Sequence, residues 1–113
     1  MIHKLKITNS LTRKKELFKP INPKQITMYA CGPTVYDNPH VGNARTLVVF
    51  DILYRVLKLI YGNVNYVRNI TDIDDKIIDA SKKNNKPIKE LTKEVSKVFH
   101  ENCKDLNCLV PTK

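Results

Sequence analysis

At 113 residues the chain has room for one core and one domain, burying roughly two thirds of its unfolded surface, and it excludes a multidomain protein. Twenty Lys and Arg against 11 Asp and Glu give a net charge of +9, which favours a polyanionic partner such as RNA, DNA, a nucleotide or an anionic membrane, although a lysine-rich solvated face explains it equally well. Three cysteines are an odd number and argue against a secreted disulfide framework; no run nears the roughly 20 apolar residues of a membrane span, and Met1 to Lys6 lacks a signal-peptide core, so a cytoplasmic chain with no membrane contact is expected.

In chain order, Lys4 to Thr8 and Glu16 to Lys19 flank the polar stretch Asn9 to Lys15 and predict a β-hairpin. Pro20 and Pro23 interrupt regular structure, and Ile26 to Cys31 then reads as a buried strand of a parallel sheet. A loop rich in Gly and Pro follows, containing Gly32, Pro33, Pro39, His40 and Gly42. The surest helix runs from Asn43 to Tyr61, with Val49, Ile52, Leu53, Val56, Leu57 and Ile60 on its apolar face and Gly62 as its stop. Asp51 and Arg55 form an i,i+4 pair that reads as a solvated face.

Val64 to Ile70 predicts a second strand, so that strand, helix and strand make a right-handed parallel crossover. Thr71-Asp72-Ile73-Asp74-Asp75-Lys76 reads as a turn and helix cap in preference to a carboxylate metal cluster. Asn84 to Pro87 breaks that helix, and Leu91, Val95, Val98, Phe99 and Leu106 mark a last amphipathic helix beginning near Ile88. Cys103 and Cys108 read as packing residues, and Pro111 to Lys113 as a frayed end.

A strand, a Pro/Gly loop and a helix start is the arrangement by which nucleotide-binding sheets present phosphate sites. The helix start aims backbone N–H groups and positive dipole at the loop, and His40 and Asn43 add side-chain donors. Taken alone, His40 also reads as a helix cap, Cys31 as a buried strand cysteine, and Gly32 and Thr71 as turn or cap residues.

Cys31-Gly32-Pro33-Thr34-Val35-Tyr36-Asp37, followed by His40-Val41-Gly42-Asn43, by Asp51 and Arg55, and then by Val67-Arg68-Asn69-Ile70-Thr71-Asp72-Ile73-Asp74-Asp75-Lys76, resembles the N-terminal part of the cysteinyl-tRNA synthetase family. The resemblance covers nearly the whole chain. It implies an α/β fold, the N-terminal half of a class I synthetase Rossmann-like nucleotide-binding domain with a parallel sheet and an N-terminal β-hairpin. Residues 1–113 would then be the N-terminal part of the catalytic domain. The KMSKS loop, the second sheet half and the anticodon-binding domain are expected to be absent, and the isolated chain to be inactive.

The implied activity is cysteine–tRNA ligation, with ATP activating cysteine to cysteinyl-adenylate before transfer to tRNA(Cys). His40 to Asn43 stands where the family has its HIGH signature, whose histidines hold ATP phosphates, and Asn43 replaces the second histidine with an uncharged donor. The resemblance makes His40 and Asn43 catalytic, and assigns ATP, with Mg, to Pro33, Thr34, His40, Gly42 and Asn43. Cysteine is assigned to Cys31, Gly32 and Thr71. Cys31 is also implied as one of four zinc ligands, the other three lying beyond Lys113; the metal binds the substrate thiol and rejects serine. Two alternatives stand beside this reading: a related ligase that joins cysteine to an aminosugar, and an inert basic module that binds RNA.

Overall fold

The computed structural model describes residues 4–113. An antiparallel hairpin comes first, β1 (Lys6–Asn9) and β2 (Lys14–Leu17), with Lys6 opposite Leu17 and Asn9 opposite Lys14. The pairing sits about two residues deeper into the polar stretch than the apolar pattern predicts. Arg13, at φ 56°, turns the chain there, and the Asn9 carboxamide accepts the Leu11 N–H at 3.0 Å.

The parallel crossover is present as expected. Strand β3 (Ile26–Ala30), helix α1 (Val41–Tyr61) and strand β4 (Val64–Arg68) follow one another, and β3 pairs with β4 in parallel from Ile26–Val64 to Ala30–Arg68. One core joins Ile26, Ala30, Val64 and Tyr66 of the sheet to Tyr54 and Leu57 of α1. Strand β3 is not buried on both faces, however: α1 covers one, and Thr27 and Tyr29 on the other are exposed. The strand also ends one residue before Cys31, which lies in the loop.

Helix α1 is rotated from its predicted setting. Leu47, Asp51, Tyr54 and Leu57 are its buried residues, whereas Val49 and Ile52 are 54% and 56% exposed. The run of apolar residues around α1 is wide enough to support either stripe, and the aromatic Tyr54, packed 4.9 Å from the Tyr66 ring, selects this one. Gly62, at φ 77°, closes α1 by donating its N–H to the Lys58 carbonyl at 2.8 Å.

Helix α2 (Asp75–Asn84) is capped by Asp74, whose carboxylate accepts the Lys76 N–H at 2.9 Å, as the capping interpretation of Thr71 to Lys76 requires. Asn85 in the left-handed region ends it, and α3 (Ile88–Asp105) follows Pro87. Leu91 and Val95 of α3 pack with Ile77 and Val35, while Phe99 and Cys103 pack with Leu47 of α1. Leu106 is exposed and lies outside the helix's buried stripe.

Two expectations about polar and terminal residues are overturned together. Asp51 is buried at 8% exposure rather than solvated: its carboxylate accepts from Arg55 Nε at 2.7 Å and from the Leu109 N–H at 2.7 Å, and Arg55 donates onward to the Asn107 carbonyl. The final segment is therefore held rather than frayed. Thr112 and Lys113 N–H both reach the Tyr66 carbonyl, and Arg68 N–H reaches the Lys113 backbone oxygen, the staggered pattern of a parallel ladder on the free edge of β4. Asp51→Ala should cost about 1–3 kcal/mol in thermal or denaturant melts, because it strands the Leu109 N–H and the Arg55 guanidinium. Faster amide exchange at Leu109 and Thr112 should accompany it, and Asp51→Asn, which keeps one acceptor, should recover part of the loss.

Candidate ATP and amino-acid site

The loop between β3 and α1 leaves the carboxyl end of the sheet, where open α/β folds bind ligands. Its floor is tied to the segment after β4. Thr71 N–H donates to the Pro33 carbonyl at 2.9 Å, Val35 N–H donates to the Thr71 carbonyl at 3.1 Å, and Thr34 and Thr71 form an isolated parallel bridge. Gly32 makes the closest approach. Its N–H meets Asn69 Oδ1 at 2.7 Å, and a Cβ built on it would stand 1.6 Å from the Asn69 carbonyl oxygen. Only glycine fits there.

Above the floor, His40 is the N-cap of α1. Its Nδ1 accepts the Gly42 N–H at 3.0 Å, and Asn43 Oδ1 accepts the His40 backbone N–H at 3.0 Å, a reciprocal capping box built without the usual Ser or Glu. Two consequences follow for binding. Nδ1 is an acceptor, so the neutral ring carries its proton on Nε2, and Asn43 keeps its Nδ2 protons for another partner. Meanwhile Gly42 N–H is taken by the ring, and Asn43 and Ala44 N–H converge on the His40 carbonyl. The helix start thus offers its dipole and two side-chain donors, with fewer open amides than the sequence pattern suggests.

A cavity of about 300 Å³ gathers Gly32, Pro33, Thr34, His40 and Asn43 on one wall and Lys76, Val95 and Phe99 on others. Cys31, Gly42 and Thr71 do not line it: Gly42 sits behind His40 in the cap, Thr71 behind Pro33, and Cys31 is exposed just past β3. Asn69, Tyr36 and Lys76 stand in the sequence motifs but carry no site role in the sequence reading. Lys76 Nζ stands 5.5 Å from the centre of the Tyr36 ring, which anchors the cation at the cavity edge. The signal for Asn69 was a lone amide between the apolar strand β4 and a hydroxyl two residues on; Lys76 was hidden by its place in a cap.

The exposed thiol of Cys31 is a soft donor with its Sγ 3.6 Å from the Gly32 carbonyl. Among the described residues no group of three or more His, Cys, Asp or Glu gathers to hold a metal. The other thiols differ. Burial pushes the Cys103 thiol up despite the neighbouring Arg68, and burial with the nearby Asp51 and Cys103 pushes Cys108 up, as suits packing residues.

Residues 17–113 match the family described as tRNA synthetases class I (C) catalytic domain. The chain belongs to this class I synthetase family. Among its relatives, the cysteine–tRNA ligase of Pelagibacter ubique (strain HTCC1062) is 60% identical over 103 residues, 89% of this chain and 23% of the relative. That of Orientia tsutsugamushi (strain Ikeda) is 58% identical over 110 residues, and that of Wolbachia pipientis subsp. Culex pipiens (strain wPip) 56% over 108, each 96% of this chain and 23% of the relative. The chain therefore spans about a quarter of the length of the curated relatives it matches. The family's Rossmann-like architecture accords with the parallel β3–α1–β4 unit and the hairpin ahead of it. No helix among the described residues is long and apolar enough to cross a membrane.

Proposed function

We propose that these residues are the N-terminal part of the catalytic domain of a cytoplasmic cysteine–tRNA ligase, binding ATP and cysteine and serving tRNA(Cys) as the acceptor. The observation that carries this reading is the capping box of α1, which leaves the His40 Nε2–H and the Asn43 amide as donors beside a loop at the carboxyl end of the sheet. Such donors suit the ATP phosphates. In the first step the cysteine carboxylate attacks the α-phosphorus and pyrophosphate leaves; in the second a tRNA hydroxyl attacks the adenylate carbonyl and AMP leaves. Neither step needs a protein nucleophile. The chain's contribution is to orient the phosphates and to neutralise charge as it develops, with Pro33, Thr34 and Gly42 shaping the loop around them.

Cys31, Gly32 and Thr71 are proposed for the amino acid, on the grounds that Gly32 and Thr71 are held at the two ends of the Asn69 amide and that the exposed Cys31 thiol lies 3.6 Å from the Gly32 carbonyl. Zinc, with Cys31 as one ligand, would supply selective affinity for the substrate thiol over a hydroxyl, and Mg would accompany ATP. The test is a chimera in which this chain replaces the matching quarter of the Wolbachia relative. Cys31→Ser in it should lower bound zinc and cut the preference for cysteine over serine by roughly 100-fold or more. Unchanged zinc content and unchanged discrimination would remove Cys31 from the site.

A further inference from the structure

Asn69 links Gly32 to Thr71, two of the residues proposed for the amino acid. It is half-buried at the end of β4, and its two polar side-chain atoms have different partners: Oδ1 accepts from the Gly32 N–H at 2.7 Å, and Nδ2 reaches Thr71 Oγ1 at 3.3 Å. The direction of both bonds is fixed by chemistry. A backbone N–H can only donate, so the atom facing Gly32 must be the amide oxygen, and the atom facing Thr71 is then an NH2 group, which can only donate. Thr71 Oγ1 is consequently the acceptor in that pair, and its own proton is turned away from Asn69. The Gly32 backbone also lies so close to the Asn69 backbone carbonyl that a Cβ on Gly32 would stand 1.6 Å from its oxygen.

We propose that Asn69 is a positioning residue that sets the polarity of the Thr71 hydroxyl, holding it as a hydrogen-bond donor toward an acceptor atom of the bound amino acid. This rests on the assignment of Thr71 to the amino-acid site. Asn69→Asp separates positioning from packing. Its carboxylate still accepts from Gly32, so the loop floor is kept, but its second oxygen captures the Thr71 proton and reverses the hydroxyl. In the chimera, Asn69→Asp should raise the KM for cysteine about tenfold, the size of one neutral hydrogen bond, with the KM for ATP unchanged. Thr71→Val should do the same, and the double variant should be no worse than either single variant, because both remove one interaction.

Additive losses in the double variant, or a parallel rise in the KM for ATP, would overturn the proposal in favour of a merely loosened loop. A chimera without cysteine-dependent exchange while Asn69 and Thr71 are intact would count against the ligase function instead. The bond network has its own readout in the 113-residue chain: the Gly32 amide should exchange slowly in the unaltered chain and in Asn69→Asp, and at least about tenfold faster in Asn69→Ala. Equal exchange in all three would overturn the assignment of Asn69 regardless of activity.

Discussion

Replacing His40 with alanine in the chimeric ligase is expected to slow cysteine-dependent ATP–pyrophosphate exchange by roughly 10² to 10³, the usual cost of one preorganised donor at a developing charge. The same change in the 113-residue chain should lower stability by only about 1 kcal/mol, because the ring's bond to the Gly42 N–H is a single cap contact. The other half of the capping box survives the substitution, since Asn43 Oδ1 is bonded to the His40 backbone N–H rather than to the ring. A role confined to capping predicts the reverse balance, a measurable drop in melting temperature with near-normal exchange. Asn43 supplies the second arm. Asn43→Ala should lower exchange, and Asn43→His, which adds a titrating donor at that position, should preserve or raise it. A folded His40→Ala enzyme with full exchange activity would strike His40 from the catalytic residues.

Gly32→Ala should act through the fold and not through the chemistry. The new methyl would lie 1.6 Å from the Asn69 carbonyl oxygen and 2.8 Å from its carbonyl carbon, an overlap of backbone with backbone that no rotamer change relieves. Relief requires the segments after β3 and β4 to move apart, which breaks the Gly32–Asn69 bond and strains the Thr34–Thr71 bridge. A loss of about 3 kcal/mol or more is expected, at or beyond the upper end of ordinary overpacking. At Gly42 the added methyl meets only the His40 ring, 2.8 Å from Cε1, and a side chain can swing. Gly42→Ala should therefore cost about 1 kcal/mol, the value of the displaced cap. Melting curves on the two variants side by side test the distinction, and equal losses would show that the Gly32 contact has room to relax.

The parallel crossover was legible in the sequence because its signals are local: an apolar run, a Gly/Pro loop, a helical period and Gly62 at the stop. The Asp74 cap was legible for the same reason. What failed were inferences that depend on distant partners. Asp51 looks like half of a surface ion pair until Leu109, 58 residues away, is seen to donate to it. Pro111 to Lys113 looks like a loose end until the edge of β4 is seen beside it. The rotation of α1 belongs with these, because Val49 and Ile52 are as apolar as Leu47 and Tyr54 is less so, and the partner surface decides which stripe turns inward. In the site, roles came with the resemblance to a family, whereas Asn69, though within the same motif, is seen to link Gly32 and Thr71 only in the structure.

The most direct test of the central claim is ATP–pyrophosphate exchange by the chimera in which this chain replaces the matching quarter of the Wolbachia ligase. Exchange that depends on cysteine, is not supported by serine, and approaches the rate of the unaltered relative is the predicted result. A chimera that folds with the relative's melting profile but shows no cysteine-dependent exchange would contradict the claim that these residues bind and activate the ligase's substrates.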